Sequence, residues 1–209
     1  MRHAAPLPAV SALPLPHARL QHRRHHIGDF ALDGEAIEQF NLQLHELNPD
    51  APHVDADAVA SVARWLSAQP ADEAASLLQA RLGRIPELRA MAADTDWAMD
   101  PKTLSVIEHL LDYVVECDDL IPDRMPLVGH LDDALMMELA WPAIADELDD
   151  YRDFCQFRIE SRGVFRGHPS REDWLLTRMQ EGALWEHMHR VRERYYVDPG
   201  PSEDVLRVI

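Results

Sequence analysis

The stretch that decides the fold is Asp118-Asp-Leu-Ile-Pro-Asp-Arg-Met-Pro-Leu-Val-Gly-His-Leu-Asp-Asp133. Pro122 and Pro126 each fix φ and remove a backbone N–H group, so no helix can run through this segment. A helical pattern precedes the stretch and another follows it. The sequence therefore predicts a rigid helix–elbow–helix hairpin, with the elbow at residues 118–131 and several carboxylates in a small volume.

Outside the elbow, apolar residues recur at spacings of three and four, as one face of a helix requires. Five helices are predicted before the elbow, at about residues 33–47, 55–68, 70–82, 86–93 and 100–116. A long helix bent at Pro142 and a last helix that begins at Ser170 are predicted after it, at about residues 131–161 and 170–196. The fold class expected is all-α, with about seven helices around the central hairpin. No segment shows strand-like alternation with hairpin turns.

Two further expectations concern the last helix and Trp97. The last helix is predicted to begin with a variant of the capping box, Ser170 with Asp173. Its apolar residues keep the helical period to about Tyr196: Leu175, Met179, Leu184, Met188, Val191 and Tyr195. Trp97 breaks the helical period of its surroundings, which makes it the tryptophan best suited to an exposed contact.

The composition of the two ends predicts the domain limits. Residues 1–28 contain four arginines, several prolines, the cluster His22-Arg-Arg-His-His26 and no acidic residue, which is typical of a disordered basic tail. Histidines in such a tail bind metals weakly and without fixed geometry. We expect a single helical domain at residues 29–198, with the hairpin at 104–145, and a C-terminal tail at 199–209.

Charge limits the classes of partner. The formal net charge is −17, and residues 29–209 have 16 basic and 37 acidic side chains, a net of −21. Such a field repels nucleic acid and anionic lipid, and it attracts cations and basic surfaces. We therefore expect a protein partner rather than a nucleic acid.

Location is predicted from two further features. Cys117 and Cys155 match no metal or redox spacing and indicate free thiols in a reducing cytoplasm. No run of 18 apolar residues is present, so no transmembrane segment is expected. Peripheral membrane contact stays open, because an amphipathic wedge could form from the aliphatic residues of the elbow, Leu120, Ile121, Met125, Leu127, Val128 and Leu131.

The elbow also contains the candidate site. Four carboxylates offer hard oxygen ligands and a histidine adds a nitrogen, so a divalent cation is the one cofactor that the sequence suggests; the residues are Asp119, Asp123, His130, Asp132 and Asp133. The alternative is structural. Asp132 and Asp133 fall in the first turn of the following helix, Asp119 and Asp123 flank Pro122 in a turn, and Arg124 is available as an ion-pair partner. No known catalytic motif is present, so no catalytic residue is predicted.

The elbow resembles the signature of the YkvA-like family, domain of unknown function 1232. The resemblance rests on Leu120-Ile-Pro-Asp123, Pro126, Gly129 and Leu131-Asp-Asp133, and it extends over about residues 104–145. Arg124, His130 and Glu116-Cys117 depart from the family pattern. The resemblance implies a helical hairpin, often in bacterial proteins associated with membranes, and it implies no reaction.

Three functions remain open on these grounds. The first is a non-catalytic binding or scaffold protein with an acidic helical surface. The second is a metal-dependent enzyme that uses the elbow carboxylates. The third is a peripheral membrane protein.

Overall fold

The computed structural model describes residues 25–115, 120–161 and 168–195, with the backbone alone at 191–195. Within these residues the protein is all-α, as predicted. Eight α-helices form, and the strands described are two pairs of residues, β1 (His26–Ile27) and β2 (Phe30–Ala31). The helices are α1 (Gly34–Leu47), α2 (Ala56–Ser67), α3 (Ala71–Leu82), α4 (Ile85–Ala93), α5 (Pro101–Tyr113), α6 (Leu131–Ala140), α7 (Ala145–Glu160) and α8 (Arg171–Tyr195).

Two short strands lie at residues 26–31, where the predicted N-terminal tail meets the predicted helical domain. β1 and β2 pair antiparallel, with His26 opposite Ala31 and Ile27 opposite Phe30. Gly28 in the connecting turn has φ +60°, which glycine adopts at little cost. The prediction of no hairpin was therefore wrong at residues 26–31, where two strands of two residues give too short an alternation to recognise. Residues 1–24 lie outside the described residues.

The eighth helix arises from Pro142. A single bent helix was predicted across residues 131–161, but a 3-10 turn at Trp141–Ala143 separates α6 from α7. Proline has no N–H to donate and its ring clashes with the preceding turn, so the α-helical hydrogen bonds stop there. The predicted bend is a complete interruption.

The chain separates into two compact units. Among the described residues, the first contains 25–95, 99–115 and 120–153, and the second contains 96–98, 154–161 and 168–195. The predicted single domain at 29–198 stays a prediction, and the predicted tail at 199–209 lies outside the described residues.

Helix α6 lies in the core of the first unit and packs against α1, α3 and α5. Eight of its ten residues are buried, in nearly every direction around the helix. The other helices of this unit bury apolar residues of the stripes predicted for them, including Phe40 and Leu44 of α1 and Val62 and Leu66 of α2. Helix α6, which follows the elbow, is therefore central to this unit, as predicted for the hairpin.

One buried polar pair was not predicted. Arg81 of α3 is 1% exposed and forms an ion pair with Glu138 of α6, and its guanidinium also donates to Leu77 O at 2.7 Å. Arg81 follows Ala74 by seven residues and Leu78 by three, so it lies on the inward face of α3. This spacing indicates an inward position for Arg81, but arginine side chains are usually exposed, so its burial was not predicted.

The second unit corrects the expectation for Trp97. Its side chain is 0% exposed, with ring centroids 5.2 Å from Phe154 and 5.5 Å from Trp174. The Arg171 guanidinium lies over the ring, 4.0 Å from its centroid. Trp97 is thus a core residue, which the sequence could not show because the residues around it come from distant parts of the chain.

Helix α8 begins as predicted, but the apolar residues of its predicted period are exposed where the structure describes their side chains. Ser170 and Asp173 bond reciprocally: Ser170 N donates to Asp173 Oδ2 at 2.8 Å, and Asp173 N donates to Ser170 Oγ at 3.3 Å. Trp174 is buried. The apolar residues that follow it along the helix are exposed: Leu175, Leu176, Met179, Leu184, Trp185 and Met188. The predicted period of α8 therefore does not mark a buried face, and the side chains of Val191 and Tyr195 lie outside the described part.

Candidate metal centre at the elbow

Successive turns build the described part of the elbow. Met125 N donates to Pro122 O at 2.9 Å, Gly129 N donates to Met125 O at 2.9 Å, and Leu131 N donates to Val128 O at 3.0 Å. No helix forms between residues 120 and 130, as the two prolines predict.

Gly129 is required because the elbow closes on itself. A Cβ atom at this position would lie 2.2 Å from Asp123 O and 2.9 Å from Met125 O, closer than atoms can approach. The chain therefore returns directly onto the backbone of Asp123. Because of this closure, the side chains of Asp123 and His130 come together.

The aliphatic residues of the elbow are mostly part of the core. Leu120, Ile121, Val128 and Leu131 are each at most 3% exposed, and Met125 is half-buried. Leu127 is the exposed member, and its φ of +67° places it in the left-handed region. Four of the six side chains proposed as a membrane wedge thus pack inside the protein, which favours the core interpretation.

Three of the predicted ligands meet in one group. His130 Nδ1 lies 3.2 Å from Asp123 Oδ1 and 3.1 Å from Asp133 Oδ2. One ligand atom from each of these residues lies within 4.8 Å of the other two. The exposed fractions of the side chains are 55% for His130, 36% for Asp123 and 5% for Asp133, so the group opens to solvent on the histidine side.

Asp132 is not part of this group. It is 1% exposed, and its Oδ2 accepts a hydrogen bond from Ile121 N at 2.8 Å. Burial raises the pKa of Asp132 to about 7; the hydrogen bond from Ile121 opposes the rise and the charge of Asp133 adds to it. The carboxylate therefore ties the start of α6 to the beginning of the elbow, through a hydrogen bond that the sequence did not predict.

The other predicted members have different outcomes. Asp119 lies outside the described residues, as does Cys117. Arg124 is exposed, and the partner of the Asp123 and Asp133 carboxylates is His130 instead. Cys155 is a free, half-buried thiol whose Sγ lies 3.4 Å from Arg158.

The spacing of the three ligand atoms suits a transition-metal ion. Two atoms bound at right angles to one ion at about 2.1 Å lie about 3.0 Å apart, and two bound on opposite sides lie about 4.2 Å apart. The two separations at His130, 3.2 Å and 3.1 Å, fall within this range. One imidazole and two carboxylates form a donor set for zinc, manganese or iron rather than for magnesium or calcium, which prefer oxygen ligands.

The same geometry also has a purely structural explanation. His130 is the N-cap residue of α6 and Asp133 lies in its first turn. An imidazole that donates from Nδ1 to a neighbouring carboxylate would fix the entry to the helix without any ion. Both explanations use the same three side chains, and they differ in whether a metal ion replaces the proton on Nδ1.

No family model, curated protein or solved structure matches this chain. The resemblance of residues 104–145 to the YkvA-like family therefore stays a prediction. Among the described residues, no helix combines the length and the apolar character that a membrane crossing needs.

Proposed function

We propose that this chain is a non-catalytic binding protein whose elbow binds one divalent transition-metal ion through Asp123, His130 and Asp133. The observation that carries the proposal is the convergence of three ligand atoms within 4.8 Å. The net charge of −17 supports it, because a strongly acidic protein concentrates cations at its surface.

The ion would fix the elbow in its closed form. Asp123 lies in the turns that follow Pro122, whereas His130 and Asp133 belong to the start of α6. A metal that joins them stabilises the folded arrangement, because the unfolded chain does not hold the three ligands together. The proposed role of the ion is thus to stabilise a surface turn. We also place the protein in the cytoplasm, because the spacing of its two cysteines matches no metal or redox motif.

A metal-dependent enzyme is the second candidate. The observation that favours it is the exposure of His130 and Asp123, because three protein ligands with solvent access leave coordination positions for water. All three residues of the group would serve as metal ligands, so none of them is left to act as a general acid or base. We rank the enzyme second for this reason.

Calorimetric titration tests metal binding. Zn²⁺, Mn²⁺, Mg²⁺ and Ca²⁺ are titrated into the 209-residue chain in which the five histidines of the basic tail are replaced by alanine, so that the tail adds no histidine ligand; these are His3, His17, His22, His25 and His26. We expect one site for Zn²⁺ or Mn²⁺ and weaker or no heat for Mg²⁺ and Ca²⁺. The site should be lost in His130→Ala and in Asp133→Asn.

Two matched controls make the result specific. His109→Ala removes another half-exposed histidine beside a carboxylate, Glu46 at 3.6 Å, that belongs to no three-residue group. Asp132→Asn removes the neighbouring carboxylate that bonds to the backbone. Both variants should keep the site. Equal stoichiometry in the parent and His130→Ala, with circular dichroism showing that both are folded, would overturn the proposal.

A further inference from the structure

Helix α8 exposes far more apolar surface than a helix in water needs. Leu175 is 45% exposed, Met179 71% and Trp185 63%, while Leu176, Leu184 and Met188 range from 52% to 63%. Six large apolar side chains within fourteen residues form an unusual surface for a soluble helix, and such surfaces mark interaction sites.

One face of α8 is centred on Gly182. Successive residues turn by about 100°, so residues seven apart lie within about 20° of each other. Leu175, Gly182 and His189 therefore form one line along the helix. Met179 and Trp185 lie on either side of it, together with Arg178 and Glu186. We call these seven residues the Gly182 face.

This face is complementary to itself in antiparallel orientation. When two copies cross antiparallel at Gly182, residues equally distant from Gly182 lie at the same level. Arg178, four residues before, and Glu186, four residues after, lie on one ridge of residues spaced by four through Gly182. A crossing angle of about −50° aligns these ridges in two copies, and Arg178 of one copy then meets Glu186 of the other. A parallel pair in register would instead bring Arg178 against Arg178 and Glu186 against Glu186, which repel each other.

Gly182 permits the close approach that this crossing requires. It has no side chain. A Cβ atom added at this position would have no atom of the same copy within 4 Å, apart from the adjoining backbone of its own helix. The glycine is therefore not required by the fold of a single copy, and it weakens the helix that contains it. Close contact between two helices gives this position a reason to lack a side chain.

The groups around Gly182 are already arranged for a partner. The Trp185 and His189 rings stack, with centroids 4.0 Å apart, and present a flat aromatic surface. Arg178 pairs with Glu181 at 3.0 Å and Glu186 pairs with Arg190 at 2.6 Å, both on the exposed surface. Exposed pairs of this kind contribute little, so exchanging them for pairs between two copies costs little.

Charge favours a second copy over other occupants. Residues 171–195 contain five arginines and five carboxylates, a net charge of zero, within a chain of net −17. Two copies would repel each other through most of their surface, but α8 has no net charge to oppose association. A strongly basic partner would instead be attracted to the acidic remainder of the chain.

We propose that α8 pairs antiparallel with α8 of a second copy of this chain, about a two-fold axis at Gly182. The contact buries Leu175, Met179 and Trp185 and forms two Arg178–Glu186 ion pairs between the copies. The protein is therefore a homodimer in solution.

Disulfide trapping tests the position of the axis. In a chain with Cys117 and Cys155 replaced by serine, Gly182→Cys places one thiol at the axis, where two copies bring their thiols together. Gln180→Cys is the control, because a residue two positions away points about 200° from Gly182. On oxidation we expect a covalent dimer for Gly182→Cys and little for Gln180→Cys. Equal trapping at both positions, or none at Gly182, contradicts the proposal.

Charge exchange tests the pairing itself. Arg178→Glu and Glu186→Arg should each raise the dimer dissociation constant by about tenfold or more in sedimentation equilibrium. The double variant Arg178→Glu/Glu186→Arg should restore it, because the two charges are exchanged across the axis. A partner other than a second copy predicts no such rescue. A chain that stays monomeric up to about 100 µM overturns the proposal.

Discussion

The elbow and helix α8 differ in what their apolar side chains do. In the elbow, four aliphatic residues that suggested a membrane wedge are buried in the core. In α8, four residues of the helical period are exposed. Both segments have apolar residues in a strong pattern, yet of the side chains that the structure describes, those of the elbow are mostly covered and those of α8 after Trp174 are not. A periodic pattern predicts that a surface will be covered, but it does not say whether the cover comes from the same chain.

The largest effect on stability is expected when one leucine in each region is replaced by alanine and the two losses are compared. Leu131→Ala, at a position with 0% exposure, leaves a cavity beside the elbow and should lower the free energy of unfolding by about 4 kcal/mol. Leu184→Ala, at 60% exposure and away from the Gly182 face, should change it by less than about 0.5 kcal/mol. Urea denaturation followed by circular dichroism measures both. Equal losses would remove the distinction between the two regions.

The glycine of the elbow should be nearly as sensitive. Gly129→Ala places a Cβ 2.2 Å from Asp123 O, so the elbow must open, and we expect a loss of about 3 kcal/mol. Gly34→Ala, where a Cβ meets no atom within 4 Å, is the control and should stay within about 1 kcal/mol of the parent. If Gly129→Ala unfolds at the same denaturant concentration as the control, the close approach does not exist in solution.

Asp132 should make stability depend on pH. Its pKa of about 7 in the folded protein lies above the ordinary value near 4, so the unfolded chain ionises first as pH rises. Stability contributed by this group is therefore lost between about pH 4 and pH 7. The difference between the folded and unfolded pKa values corresponds to a loss of unfolding free energy of at most about 4 kcal/mol, and we expect a loss of about 2 kcal/mol. Asp132→Asn should gain this amount at pH 8 and little at pH 4, measured in EDTA.

The pH dependence of stability that Asp173 of α8 contributes has the opposite sign. The hydrogen bonds from Ser170 lower the pKa of Asp173, so its contribution is present above the unfolded value and lost as pH falls through the folded one. Asp173→Asn should therefore destabilise the protein at neutral pH and lose its effect in acid. The same pH profile for Asp132→Asn and Asp173→Asn would contradict both assignments.

The smallest effect concerns the backbone of the elbow. Leu127 is exposed with φ +67°, a conformation that costs a non-glycine residue about 1 kcal/mol. Leu127→Gly should stabilise the protein by about 0.5 kcal/mol, because the greater freedom of the unfolded chain cancels part of the gain. Leu42→Gly, an exposed leucine inside α1, should instead cost about 1 kcal/mol. Thermal unfolding resolves the two signs.

Local patterns predicted most of the helices and their caps. Asp100, for example, accepts from Lys102 N at 3.0 Å and begins α5 before Pro101, as the residue order indicates. The convergence of Asp123, His130 and Asp133 was predicted in part, because Gly129 and two prolines force a tight turn. The assignment of Asp132 to Ile121 N was not predictable, since two adjacent aspartates look alike until the turn geometry directs one of them inward. Trp97 was missed for a similar reason: its neighbours are Phe154 and Trp174, more than fifty residues away.

The ion pair between Arg81 and Glu138 has a consequence for how α6 is placed. Helix α6 has buried residues in nearly every direction, so burial of apolar surface alone distinguishes poorly between one rotation of this helix and another. A single buried guanidinium does distinguish them, because any other rotation would leave its charge without a carboxylate at high cost. We infer that this pair selects the rotation of α6, and with it the direction in which Asp132 and Asp133 leave the helix.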